Sequence, residues 1–325
     1  MKVIVWTVVL AQLILLLFSP LLKTRPVFRW YYNKVFHPVF EDVDRLRWKL
    51  AVVPALYLGV YGYCTVLFYQ DVEPLVRGRL TLIERWVVIP AVLVTPLITG
   101  ILTMAVKPMT SRDALTTKGS QWLPAYDNLI FHEGLECRTC KLPKYARSKH
   151  CAICNQCTLV ADHHCIWANN CIGAGNYQYF YGFLVANVCL TSYGCVRLVW
   201  LRHSGDSRSL VVLCSLLGCF ALILAVFTYF QLALVQAGMT TGEESKWLVV
   251  HDMLREGKLV IDGSDRYFYR VGGENGSQYE FYSTNVYDGS TYSVRDYRVV
   301  RSPGEITNIY DRGGIWSNLK ILVKP

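Results

Sequence analysis

The chain has 325 residues, a formal net charge of +9 and only 18% charged residues. Its mean hydropathy is +0.26, whereas ordinary soluble domains carry about 25% charge, so composition excludes a typical water-soluble enzyme. The basic residues flank apolar segments, which gives no support to nucleic-acid binding and makes the charge a topology signal.

Five apolar runs follow in chain order: 3–22, 50–69, 87–107, 180–200 and 209–236. Each approaches the ~20 residues a helix needs to cross about 30 Å of hydrocarbon. Backbone amides in lipid must pair within their own segment, so the runs predict about five transmembrane helices. Two alternatives are a soluble bundle of buried helices and, for the first run, a signal peptide. The first run has a basic start but no small-x-small cleavage site.

Loop charges orient the chain. Residues 23–49 hold Lys23, Arg25, Arg29, Lys34, Arg45, Arg47 and Lys49. The third loop holds Arg112, Lys118, Arg138, Lys141, Lys144, Arg147 and Lys149. The basic side is expected to be cytosolic, with the N-terminus lumenal. The expected division is as follows: residues 1–49 form the first helix and a basic cytosolic loop, and 50–107 form helices two and three. A cytosolic loop spans 108–179, with a cysteine-rich domain at about 135–180; 180–236 form helices four and five, and 237–325 a cytosolic tail. Aromatic and β-branched residues between Gly and Asp-Gly turns in the tail predict short strands or hairpins. No internal repeat is evident.

Seven of the 12 cysteines lie between Cys137 and Cys171, with His150, His163 and His164 among them. A disulfide framework conflicts with a cytosolic loop, where thiols stay reduced. Paired Cys-x2-Cys spacings with interleaved histidines fit zinc instead. A closed zinc site takes four ligands, so ten candidates fill two sites and leave two over. Cys137 with Cys140 forms one clamp and Cys151 with Cys154 another. Cys157, Cys171 and two histidines complete the sites. The spare pair is then one histidine and one cysteine. His163 and Cys165 are two apart and share a face of an extended backbone, while His164 points away, toward metal. A histidine beside a thiol can accept its proton and stabilise the thiolate, and Asp162 can fix the ring tautomer. The competing reading makes His163 and Cys165 incidental to a purely structural zinc module.

The full pattern is Cys137-Arg-Thr-Cys140, nine residues, His150-Cys-Ala-Ile-Cys-Asn-Gln-Cys157, four residues, Asp162-His-His-Cys165, five residues, Cys171, then Asn176 and Phe180. It resembles the cysteine-rich domain of the DHHC protein S-acyltransferases, the palmitoyltransferases. The resemblance covers about residues 50–325. It implies that Cys165 attacks the thioester of palmitoyl-CoA, becomes an acyl-enzyme and passes the acyl group to a protein cysteine. It implies His163 as the activating base and Asp162 as its orienter. It also implies two structural zinc ions, one on Cys137, Cys140, His150 and Cys157, the other on Cys151, Cys154, His164 and Cys171. Thr240-Thr241-Gly242-Glu243 resembles the family's TTxE motif, which with Asn176 braces the active-site region; a solvated polar loop is the bland alternative. The segment from Asn308 through Tyr310 and Trp316 to Asn318 resembles an aromatic motif that packs the tail back on the catalytic domain. The pattern is most similar to fungal members of the endoplasmic reticulum membrane that acylate SNAREs beside their transmembrane segments. Ile166 stands where the family usually has proline, while Trp167 and Asn170 match. The family's Asp-Pro-Gly motif is absent, and Lys107-Pro-Met-Thr occupies its place.

A membrane setting suits acyl-CoA, because each buried CH₂ contributes about 0.8 kcal/mol. Lys118, Arg138, Lys141, Lys144 and Arg147 are candidates to meet the CoA phosphates. A membrane-anchored zinc scaffold and a transporter are the other function classes. A transporter needs intramembrane ionisable groups; Arg197, near a span's edge, is expected to snorkel to water.

Overall fold

In the computed structural model, residues 12, 14–15, 18–41, 47–116, 123–201, 207–272 and 278–323 are described. The chain divides into two units, Met1–Val60 and Tyr61–Pro325. Most of the first predicted span lies outside the described residues. In the first unit a short helix, Pro26–Tyr31, starts on a proline, whose missing N–H is no loss at that position. It continues into a π-helical stretch, Tyr32–Glu41.

Among the described residues, four helices are long and apolar enough to cross a membrane: α1 (Lys49–Arg79), α2 (Glu84–Ala105), α3 (Tyr177–Leu201) and α4 (Arg208–Gln236). The unit division falls within α1. In the second unit α2 packs along α3, and α3 along α4. Small residues permit the approach. A Cβ on Gly100 would stand 3.0 Å from the Phe183 ring, and one on Gly194 would stand 2.9 Å from Leu217. Close backbone approach at glycine is how apolar helices associate where lipid removes the hydrophobic drive.

Arg197, expected to snorkel, is held in an ion pair. Its guanidinium pairs with Glu84 on α2 at 2.6 Å, and Tyr193 adds a hydrogen bond to the same carboxylate. Arg79 donates to the Leu201 carbonyl at 3.0 Å. The Arg197–Glu84 pair ties α2 to α3 at the end away from the cysteine-rich segment.

Beyond α4 the chain forms α5 (Thr241–Arg255). Trp247, Val250 and Leu254 recur at helical spacing on one face and pack on Leu259, Ile261 and Val300. The strands that follow are β5 (Leu259–Asp262), β6 (Tyr267–Gly272), β7 (Tyr279–Ser283), β8 (Thr291–Tyr292) and β9 (Tyr297–Val299). They form one antiparallel sheet in the order β8-β7-β6-β5-β9. Val260, Phe268 and Phe281 cluster apart from the Leu259 and Ile261 group, so alternate side chains of β5 enter different cores. The strand-bearing tail expected from its composition is present. The chain closes with α6 (Ile315–Val323).

Candidate active site

Between α2 and α3 the backbone makes three hairpins in one repeating register. The first has only an isolated bridge, Glu136↔Pro143. The second pairs β1 (Lys149–Cys151) with β2 (Gln156–Thr158), matching His150↔Cys157 and Cys151↔Gln156. The third pairs β3 (His164–Cys165) with β4 (Asn170–Cys171), matching His164↔Cys171 and Cys165↔Asn170. Equivalent positions differ by 14 residues throughout. The left-handed residue of each turn obeys the same interval: Lys141 (φ 54°), Asn155 (φ 51°) and Asn169 (φ 45°). This repeat was not recognised in the sequence. Its signal was there, because each residue of the first ligand set recurs 14 positions later in the second.

Two four-residue clusters result. One gathers Cys137, Cys140, His150 and Cys157, the other Cys151, Cys154, His164 and Cys171, with all ligand atoms of each within 4.8 Å of one another. Each of the first two hairpin tips supplies a Cys-x2-Cys clamp, and the strand pair of the next hairpin supplies His and Cys. His150 Nδ1 lies 3.2–3.8 Å from its three sulfurs, and His164 Nδ1 3.4–3.7 Å from its own. A tetrahedral ion with the usual Zn–S and Zn–N bonds has N···S edges of about 3.5 Å and S···S edges of about 3.8 Å. The Cys157–Cys140 and Cys171–Cys154 edges are 3.8 and 3.5 Å. The donor sets therefore fit a metal ion of zinc's size.

Asp162, His163 and Cys165 fall outside both clusters. Asp162 is buried, and its Oδ2 lies 2.9 Å from His163 Nδ1. Its other oxygen accepts the Thr241 amide at 2.6 Å. That amide belongs to the first turn of α5, where unpaired N–H groups favour an anion. Burial works against charging the His163 ring, but hydrogen bonds with Asp162 and the Cys165 thiol outweigh it and hold the ring at about 9. Burial also pushes the Cys165 thiol up. The His163 hydrogen bond and charge, with the Ala168 and Trp167 amides, carry it below its ordinary value. The Phe180 ring meets His163 edge-on with centroids 5.3 Å apart. Cys165 sits in the apolar cluster of Phe180 and Leu184 at the start of α3, with Tyr181 packed against it.

The polar segment after α4 is no solvated loop. Thr240 Oγ1 donates to the Ala161 carbonyl at 3.0 Å. Glu243 closes a capping box by accepting the Thr240 amide at 3.0 Å. Glu243 also takes Arg147 in a two-pronged pair at 2.5 and 2.7 Å, with both side chains buried. A Cβ on Gly242 would stand 2.6 Å from the Ala161 carbonyl oxygen, so only glycine fits there. Asn176 accepts the Gly173 amide and donates to Cys171 and Val106 carbonyls. Asn170 donates to Thr103 and Val106 carbonyls. Together the two asparagines fasten the third hairpin to the end of α2.

In the tail, Tyr310 donates to the Ala125 carbonyl at 2.8 Å, and the Arg147 guanidinium lies over its ring. Asn318 donates to the Val235 carbonyl at the end of α4. Trp316 is 75% exposed, so Tyr310 and Asn318 make the contacts expected of this motif.

A family model described as DHHC palmitoyltransferase matches residues 130–248. Palmitoyltransferase SWF1 of Candida glabrata is 46% identical over 327 residues, covering 98% of this chain and 98% of the relative. The chain belongs to the DHHC palmitoyltransferase family. Palmitoyltransferase SWF1 of Saccharomyces cerevisiae is 38% identical, covering 98% of this chain and 99% of the relative. That of Eremothecium gossypii is 44% identical, covering 96% and 92%.

Within this DHHC chain the basic residues considered for phosphate contact separate. Arg147 is committed to Glu243 and the Gly238 carbonyl, and leaves that set. Arg138 and Lys144 lie over the Tyr287 ring of the tail. Lys141 is exposed, and Lys118 lies outside the described residues. Ile166, in the place of the DHHC family's proline, is 53% exposed beside a 47% exposed Trp167. Sequence reasoning also missed Gly242 and the partnership of Arg147 with Glu243. A small residue after two threonines was the available signal for the first, and nothing local marks the second.

Proposed function

We propose that this protein-cysteine palmitoyltransferase works through an S-acyl intermediate on Cys165. The Cys165 thiolate attacks the carbonyl carbon of the acyl-CoA thioester, and the C–S bond to CoA breaks as CoA leaves as its thiolate. His163 takes the Cys165 proton before attack and returns one to CoA sulfur. In the second half-reaction a protein thiol gives its proton to His163 and attacks the Cys165 thioester, which releases Cys165 as thiolate. Asp162 holds the His163 ring by Nδ1 and is itself held by the first amide of α5. The observation that carries this reading is the chain Thr241 N–H, Asp162, His163, Cys165, outside both ligand clusters.

The two clusters hold structural Zn²⁺, which contributes folding energy and takes no part in acyl transfer. Asn176, Thr240, Thr241 and Glu243 are supporting residues that join the hairpins to α2 and α5. The first apolar run adds a fifth span. The chain divides at about residues 49, 107, 179 and 236, as the sequence suggests. The basic loop at 23–49, the cysteine-rich domain and the tail face the cytosol, and the N-terminus faces the lumen. Palmitoyl-CoA is the donor, with its chain in membrane lipid or between helices. Exposed Ile166 and Trp167 beside a buried thiol support a site at the lipid boundary. Membrane proteins of the endoplasmic reticulum, SNAREs among them, are the acceptors.

Intact-protein mass spectrometry after incubation with palmitoyl-CoA tests the reading. A hydroxylamine-labile palmitoyl adduct on Cys165, absent in Cys165→Ser, is expected. An adduct elsewhere, or full transferase activity in Cys165→Ser, overturns it.

A further inference from the structure

The 14-residue repeat runs past its second metal cluster. Cys137, Cys151 and Cys165 are equivalent, each the first residue of a hairpin tip. Cys140 and Cys154 have Ala168 as their third counterpart. In the first two tips the backbone amide of the second cysteine donates to the first cysteine's sulfur, both at 3.4 Å. In the third, the Ala168 amide donates to the Cys165 carbonyl at 3.2 Å, and the Ala168 and Trp167 amides help to lower the thiol's pKa. A clamp needs His and Cys from a following hairpin, at positions 178 and 185. Gln178 and Val185 stand there, and the chain has already entered α3. The third tip therefore keeps the backbone of a zinc knuckle and loses its metal ligands.

We propose that this third hairpin is a metal-free knuckle, and that Asn169 is a positioning residue for Cys165. Resting on the acyl-carrier reading of Cys165, the inference says how the thiol is held. The tip position that in the first two hairpins carries a cluster cysteine here carries the sulfur that attacks and later leaves. Asn169, at φ 45°, turns the chain at the tip that carries that sulfur, as Lys141 and Asn155 do in the first two hairpins. Asparagine tolerates this left-handed backbone, glycine adopts it freely and a β-branched residue resists it. Cys165 packs with Phe180 and Leu184 at the start of α3, so the sulfur is presented to an apolar neighbourhood.

Two experiments on the full chain in detergent micelles test this. Single-turnover acylation by palmitoyl-CoA is compared for wild type, Asn169→Gly and Asn169→Val, with zinc content measured in each. Asn169→Val should lose at least tenfold in the acylation rate at saturating palmitoyl-CoA, with half-saturation changed less than twofold and zinc unchanged. Asn169→Gly should exceed Asn169→Val at least fivefold. Equal rates in Asn169→Val and wild type overturn the inference, as does equal impairment of the glycine variant. The second experiment adds a thiol where the repeat lacks one. With Cd²⁺ alone as probe, Ala168→Cys should lose Cys165 acylation at a concentration at least tenfold below that needed for wild type, and a chelator should restore it. If A168C is no more sensitive than wild type, the tip is not a knuckle. Absence of any wild-type adduct on Cys165 instead refutes the acyl-carrier reading itself, so the two failures are distinct.

Discussion

Thr241 offers a way to remove one hydrogen bond and nothing else from the proposed relay. It is the first residue of α5, and its amide donates to Asp162 Oδ1 at 2.6 Å. Proline is favoured at the first helical position, because its fixed φ suits the helix. The residue before a proline must be extended, and Thr240 already is, at φ −109° and ψ 161°. Thr241→Pro should therefore leave α5 folded while deleting the amide that Asp162 accepts. A hydrogen bond to a charged group is worth about 1.5–3 kcal/mol. If all of it bears on the transition state, acylation slows by about 10- to 150-fold. The substitution also removes the hydroxyl that accepts from Gln231, so Thr241→Ala, which keeps the amide, is the control. The assay is single-turnover formation of the Cys165 adduct by intact mass, with zinc content measured in parallel. Thr241→Pro acylating within twofold of Thr241→Ala, with zinc retained, would refute the link from α5 to His163.

Other outcomes follow from the same geometry. Glu243→Ala leaves buried Arg147 without its partner and should destabilise by about 3–5 kcal/mol in denaturant unfolding, whereas R147M with E243L should recover most of it. Metal analysis should separate the adjacent histidines: His163→Ala keeps both zinc ions and loses acylation rate, while His164→Ala loses the second ion and stability. Lys246 is held at about 8 by burial, below its ordinary 10.5. Its depressed value means that the stability it contributes is in full above the unfolded value and lost as pH falls through about 8. Lys246→Met should thus gain on wild type most at pH 7 and progressively less toward pH 10 in thermal unfolding. A pH-independent difference would contradict this.

Most of the ligand clustering was legible because it is local. Clamps two residues apart and a histidine nine residues on declare themselves along the chain, and counting ligands left a histidine and a cysteine spare. The membrane-length helices were legible for a similar reason, since hydropathy is summed over neighbours. What could not be read was anything that joins distant segments. Nothing near residue 147 announces that this one arginine, among many basic neighbours, is buried against Glu243, 96 residues on. Arg197 reads as an edge charge until α2 brings Glu84 beside it. The TTxE segment reads as polar and exposed, yet Thr240 and Glu243 are each 2% exposed, because they meet the Ala161 carbonyl and the Arg147 guanidinium, both far away in sequence. The repeat was missed for a different reason: hairpins of 14 residues interlock, so each ligand set straddles two units.

That interlocking explains why the thiol proposed to carry the acyl group stands where it does. Each tip cysteine pair depends on the following hairpin for its last two ligands, so a series of such hairpins must end with one tip unserved. Here the series ends because the chain becomes α3, a helix whose first turns carry Tyr177, Phe180 and Leu184 in place of ligands. The unserved tip is therefore set against the membrane helix by construction, and its neighbour His164 is turned to the other strand face by its place in the second ligand cluster. The fold then adds one external tie: Asp162, between the second and third hairpins, is anchored by α5 from beyond the last span. The Cys165 thiol at the end of the repeat, and the proposed base His163 tied through Asp162 to a distant helix, are separable features. Substitutions at Asn169 and Thr241 should accordingly combine additively in acylation free energy if they act independently, and less than additively if the knuckle matters only while His163 is oriented.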